Sequence, residues 1–167
     1  MNLFIVESAL QLLCAFEAIK KNEKPYILYI RLTGRGQNDK HLVSCANFLQ
    51  LQFSTFILRP TSPQLDIVKN ILIWLKLFSK KFETVYFGSY YSGILRLIRI
   101  ITRHNNAVYL DDGLATLRAQ DEIYLYPSKS VNWFTLFDIE PISGQAIEIN
   151  NFYYLKKYIN KNDNLYL

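Results

Sequence analysis

At 167 residues, half of them hydrophobic and 15% aromatic, the chain is long enough to bury a core as one domain, which excludes a disordered segment. Lys and Arg outnumber Asp and Glu by 19 to 14, and the excess lies in residues 1–83, which hold 11 basic and 6 acidic residues, whereas residues 84–167 hold 8 of each. The first half suits an anionic partner (a phospholipid surface, a nucleotide or an acidic glycan), or else the net charge of +5 only aids solubility.

The chain starts as strand, sharp turn, helix. "LFIV" (3–6) reads as a short buried strand, and Ser8, with Gln11 three residues later, forms a capping box for a helix over "ALQLLCAFEAIKK" (9–21). The two terminal lysines complement the helix dipole, and Pro25 ends the element. "YILYI" (26–30) is apolar throughout, as a strand buried on both faces must be. After it come a polar loop, "RLTGRGQND" (31–39), a helix over roughly 39–50 and a strand "FSTFIL" (53–58). Thr61-Ser62-Pro63 starts a third helix, running to Lys80.

"TVYFGS" (84–89) is the next strand, "SGILRLIRIITR" (92–103) the next helix, and "AVYL" (107–110) a fifth strand that ends on Asp111-Asp112-Gly113. Beyond Gly113 the rhythm changes. "EIYLY" (122–126), "WFTLF" (133–137) and "AIEI" (146–149) read as short strands, and "NFYYLKKYI" (151–159) as a closing helix. Strands alternating with helices predict an α/β fold, a doubly wound Rossmann-like parallel sheet with short extra strands and a C-terminal helix.

Cys14 and Cys45 lie in helix-like patterns and are expected to be reduced, buried thiols of a cytoplasmic protein. No secretory signal is evident, and the greasiest stretch (65–78) is too short and too polar to span a bilayer. Its helix is nonetheless apolar nearly all round. A partner domain, a homodimer mate or peripheral contact with an inner-membrane surface would each account for that excess. Arg96, Arg99 and Arg103 recur at helical spacing, as a solvated face or as a contact for phosphate or anionic lipid.

Ligands of open parallel sheets bind beyond the carboxyl ends of the strands. Four loops reach that edge: Glu7-Ser8, "TGRGQND", "GSYYSG" and "DDG". Ser8 is a helix cap whose position also suits a ligand. Gly34-Arg35-Gly36, with Asn38 beyond, resembles a phosphate-cradling loop but lacks the third glycine of a dinucleotide fingerprint. Tyr90 and Tyr91 stack on a sugar or base, or simply pack. His41 and His104 are far apart and join no cysteine cluster, so no metal site is expected; no cofactor and no nucleic-acid partner are expected either. What remains is a carboxylate at a rigid strand end, either a general base or a turn residue, with Gly113 letting the backbone turn away.

Two segments carry a resemblance. "FIVESALQLLCAFEAI" (4–19) resembles the first strand and helix of bacterial sialyltransferases, with Ala9 where those enzymes have proline. "YLDDG" (109–113) is similar to the acidic-acidic-glycine motif of sialyltransferases and polysialyltransferases, most closely glycosyltransferase family 52, the lipooligosaccharide sialyltransferase type. The resemblance implies a role in capsule or lipooligosaccharide synthesis. Asp111 would be the general base, taking a proton from an acceptor-glycan hydroxyl that displaces CMP from a CMP-sugar, with inversion and without metal. Asp112 and Gly113 would support the loop, and the acceptor would lie near Ser8, the Gly34–Asn38 loop and Tyr90/Tyr91.

The same families bind the CMP phosphate with a His-Pro pair in a second domain. Here His41 precedes Leu42 and His104 precedes Asn105. Residues 1–167 are therefore expected to be the N-terminal, acceptor-side half of a GT-B-type enzyme, the donor half being absent. The alternatives are a non-catalytic glycan-binding or scaffold module of the same fold and, more weakly, a flavodoxin-like regulatory domain.

Overall fold

The computed structural model describes residues 1–34, 36–59, 63–125, 131–142 and 144–163. Among the described residues seven strands form one parallel sheet in the order β3-β2-β1-β4-β5-β6-β7: β1 (Asn2–Val6), β2 (Tyr26–Leu32), β3 (Ser54–Ile57), β4 (Lys81–Phe87), β5 (Arg103–Leu110), β6 (Asn132–Thr135) and β7 (Ile147–Ile149). The fold is Rossmann-like and doubly wound, as the alternation of elements predicts. β1 is buried at all five positions, which is why its sequence shows no polar alternation.

Two layers of helix cover the sheet. On one face lie α1 (Ala9–Asn22), α2 (Gly36–Phe48) and α7 (Tyr153–Asp163), packed on Phe4, Val6, Leu28 and Ile30. On the other lie α3 (Pro63–Lys69), α4 (Ile71–Ser79), α5 (Gly93–Ile101) and α6 (Leu114–Leu125), packed on Leu3, Ile5, Phe87 and Tyr109. α1 is buried on both sides because α7 closes over it. Tyr158 meets the Phe16 ring edge-on at 5.6 Å, and the buried Glu17 carboxylate accepts the Tyr154 and Leu155 amides at the start of α7.

Several predicted boundaries move. The single helix to Lys80 is two helices, because the Asn70 side chain donates to the Asp66 carbonyl at 2.6 Å and the Ile57 carbonyl at 2.9 Å, competing with the helical ladder. Thr61 and Ser62, its expected start, lie outside the described residues. α2 begins at Gly36, so Gly36 and Asn38 are helical rather than loop residues. β5 begins at Arg103, which pairs with Lys81 and so leaves the stripe expected with Arg96 and Arg99.

The strand expected at 122–126 is the end of α6 as far as Leu125, with Tyr126 outside the described residues. The inner positions of α6, Thr116, Ala119, Gln120 and Ile123, follow a helical period, but two of the four are polar and the apolar pattern hides it. The buried Gln120 accepts the Trp133 indole N–H at 2.9 Å and donates to the Glu140 carbonyl at 2.9 Å, so its polarity is satisfied inside. β6 and β7 are not an appendage but continue the same sheet. Both cysteines are free, with Cys14 buried and Cys45 partly so, and burial, reinforced by the Asp111 charge, pushes the Cys14 thiol up to about 12. Among the described residues no helix is long and apolar enough to cross a membrane.

Candidate functional site

The strand order reverses between β1 and β4, and there the chains leaving the two strands diverge and open a crevice at the carboxyl edge. Glu7 and Ser8 follow β1, Gly88 and Ser89 follow β4, and Asp111 and Asp112 follow β5. A cleft of 490 Å³ lies here, lined by Glu7, Arg31, Arg59, Ser89, Tyr91 and Ser92 among others. Across Glu7 a second hollow, of 330 Å³, holds Ser8, Asn38, Asp39 and His41.

The two aspartates of the motif have different environments. Asp111 is 0% exposed, and its oxygens are enclosed by donors. Oδ1 accepts the Gly113 amide at 2.6 Å and the Thr116 hydroxyl at 3.4 Å, while Oδ2 accepts the Thr135 hydroxyl and the Leu136 amide, each at 2.7 Å. It ties the exit of β5 to the exit of β6 and to the left-handed turn at Gly113 (φ 66°). In this arrangement both oxygens of Asp111, the residue to which the resemblance assigns the base, are bonded within the protein, and its carboxylate latches the loop.

Asp112 is only partly buried and lies beside the crevice, next to Ser89 of its lining. Gln11 Nε2 donates to its Oδ1 at 2.6 Å, and the Ser89 hydroxyl bonds it as well. Burial raises its pKa above the ordinary carboxylate value, the Gln11 and Ser89 bonds pull it partly back, and the charges of Glu7 and Asp111 raise it further. Its neighbour Glu7 differs, because Arg31 Nη1 lies 2.8 Å from Glu7 Oε2 and the Ser92 hydroxyl donates to Oε1 at 2.8 Å. One carboxylate is paired with a guanidinium, and the other has no such partner among the described residues, so their electrostatic environments differ.

Gln11 organises this corner. Its Oε1 accepts the Glu7 amide at 2.7 Å while its Nε2 holds Asp112, so the side chain runs across the backbone of Gly88. A Cβ on Gly88 would lie 2.0 Å from Gln11 Oε1, so only glycine leaves room for that crossing. Gln11 reads in the sequence as half of a capping box. The cap exists, with Ser8 Oγ accepting the Gln11 amide at 3.3 Å, but the glutamine side chain reaches on to Asp112, 101 residues away in the chain.

The other predicted site residues scatter. Gly34 (φ 78°) sits at the end of β2, but Asp39 accepts its amide at 2.8 Å and the Thr33 amide at 3.1 Å, taking the donors that a phosphate would need. Gly36 has open space around it, and Arg35 lies outside the described residues. Asn38 faces the smaller hollow with Ser8. Tyr90 is a packing residue, edge-on to Tyr109 at 5.5 Å with the Arg96 guanidinium 5.3 Å from its ring centre. Tyr91 lines the large cleft, and its hydroxyl donates to Glu122 at 3.0 Å. Glu7, Arg31, Ser89 and Ser92 had no signature of their own in the sequence, since only the sheet order brings them together. Among the described residues no group of three or more His, Cys, Asp or Glu side chains converges as a metal site would require.

The chain matches no protein-family model, no curated protein and no solved structure.

Proposed function

We propose that this chain is the acceptor-side domain of a sialyltransferase-like glycosyltransferase, with Asp112, rather than Asp111, as the general base. One observation carries the reading: at the topological switch point a carboxylate of raised pKa, with no cationic partner among the described residues, is held by Gln11 and Ser89 beside a 490 Å³ cleft. The likeness of "YLDDG" to the sialyltransferase motif supplies the reaction. An acceptor-sugar hydroxyl gives its proton to Asp112, and its oxygen forms a bond to the anomeric carbon of the donor. The bond to CMP breaks on the opposite face, with inversion. A raised pKa makes Asp112 a stronger base, and the two fixed donors hold it in one orientation. Glu7, neutralised by Arg31, and the hydroxyls of Ser89 and Ser92 offer hydrogen bonds to the remaining sugar hydroxyls. The CMP-sugar is held by a donor-binding domain, supplied in cis or in trans.

The enclosure of Asp111 favours a second reading, a glycan-binding module of the same fold without transfer, because the position that the motif makes catalytic is spent on the loop. One experiment separates the two. The chain is supplied with a sialyltransferase donor domain, a galactose-terminated acceptor and CMP-sialic acid, and CMP release is measured together with acceptor binding by saturation-transfer NMR. Removal of a general base lowers the rate by about 10²-fold or more, so Asp112→Asn loses that much CMP release while still binding acceptor. An unchanged rate refutes the assignment, and binding without any release by the parent chain establishes the module.

A further inference from the structure

The outer surface of α4 and α5 is apolar where solvent reaches it. Leu72 is 77% exposed and Ile100 81% exposed, and Leu75, Phe78 and Leu97 are open as well. Both helices pack on the same core, and Arg103 Nη2 approaches the Ser79 carbonyl at 3.5 Å, which brings their carboxyl ends together. The exposed side chains therefore form one surface rather than scattered contacts.

The charges on this surface have one sign. Lys76, Lys81, Arg96 and Arg103 are exposed there, and residues 67–82 and 84–110 contain no Asp or Glu. Glu83, between them, is held by Lys24 at 2.6 Å, and Asp66 is buried against Arg59 at 2.7 Å. Asp121 and Glu122 appear only on α6, at the flank. Apolar side chains interleaved with cations and free of carboxylates complement the headgroups and outer acyl region of an anionic bilayer. A second copy of the chain fits poorly, because a two-fold contact on this face would set the same cations against each other with no carboxylate between.

We propose that α4 and α5 form a docking surface for an anionic lipid bilayer, with Leu72, Leu75 and Ile100 entering the acyl boundary and Lys76 and Lys81 meeting the headgroups. Leu97 belongs to this surface and also lines the 490 Å³ cleft, so the docked membrane lies against the cleft mouth. The docking stands on the surface chemistry alone and does not depend on the glycosyl-transfer reading.

The test is co-sedimentation of the full chain with vesicles of equimolar phosphatidylglycerol and phosphatidylcholine, against vesicles of phosphatidylcholine alone. Each basic residue at an anionic surface is worth about fivefold in partitioning, so the anionic vesicles bind at least about 10-fold more chain. Lys76→Glu with Lys81→Glu returns binding to the neutral level, and Leu72→Ser with Ile100→Ser lowers it about 10-fold; circular dichroism shows both variants folded, since all four side chains face solvent. Equal partitioning into the two vesicle types, no binding to either, or variants that bind like the parent overturn the proposal. So does a lipid-free dimer, seen by sedimentation equilibrium, that Leu72→Ser with Ile100→Ser dissociates, because the covering surface is then a second copy.

Discussion

Replacing Asp111 by Asn changes one atom pair and tests whether this residue latches the loop. The carboxylate accepts from two backbone amides, Gly113 at 2.6 Å and Leu136 at 2.7 Å, one at each oxygen. An asparagine offers a single carbonyl oxygen, so whichever way it turns, an amide donor faces one of those backbone N–H groups. The Thr135 hydroxyl can rotate to accept, but a backbone N–H cannot. A buried donor left unpaired costs about 1–3 kcal/mol, and the remaining bonds lose their charge-assisted strength, so the total is roughly 2–5 kcal/mol. That is a large part of a domain stability of about 5–15 kcal/mol, and at roughly 2–4 °C per kcal/mol it lowers Tm by about 10 °C. Urea unfolding followed by tryptophan fluorescence suits the measurement, because the buried Trp133 lies two residues before Thr135. A loss below about 1 kcal/mol, or an equal loss for Asp112→Asn, would refute the division of labour between the two aspartates.

Asp112 titrates with the opposite consequence. Its folded pKa lies above its unfolded value of 3.8, so the folded state binds the extra proton, and stability falls as pH rises from 3.8 through the raised folded value. Asp112→Asn removes that loss. The variant is expected to be at least as stable as the parent at neutral pH, with its advantage shrinking as pH falls toward 3.8; urea midpoints at several pH values check this, and an advantage that grows in acid contradicts it. Gly88→Ala forces the Gln11 side chain off its path, since the new Cβ would stand 2.0 Å from Oε1. It is expected to cost about 2–4 kcal/mol through the lost Glu7 and Asp112 bonds. Stability unchanged on thermal unfolding would mean that the crossing is not tight.

The alternation of strand and helix was open to reading in the sequence because burial imposes it locally. A strand enclosed on both faces, such as "LFIV" or "YILYI", has no choice but continuous apolar residues, and Ser8 and Gly113 mark turns by their own backbone chemistry. Elements whose inner faces are polar were not legible. Gln120 hid α6, and Asn70 hid the break between α3 and α4, because in each a side chain bonds a partner that only the folded chain supplies. The paired aspartates could be found by reading alone, but their roles could not. Asp111 becomes a latch because β6, arriving 24 residues later, brings the Thr135 hydroxyl to it, and Asp112 is held beside the crevice because Gln11 reaches it from the first helix across Gly88. Sequence order determines which residues stand at strand ends. Only the order of strands in the sheet decides which of those ends meet, and with that which carboxylate is enclosed and which stays partly open.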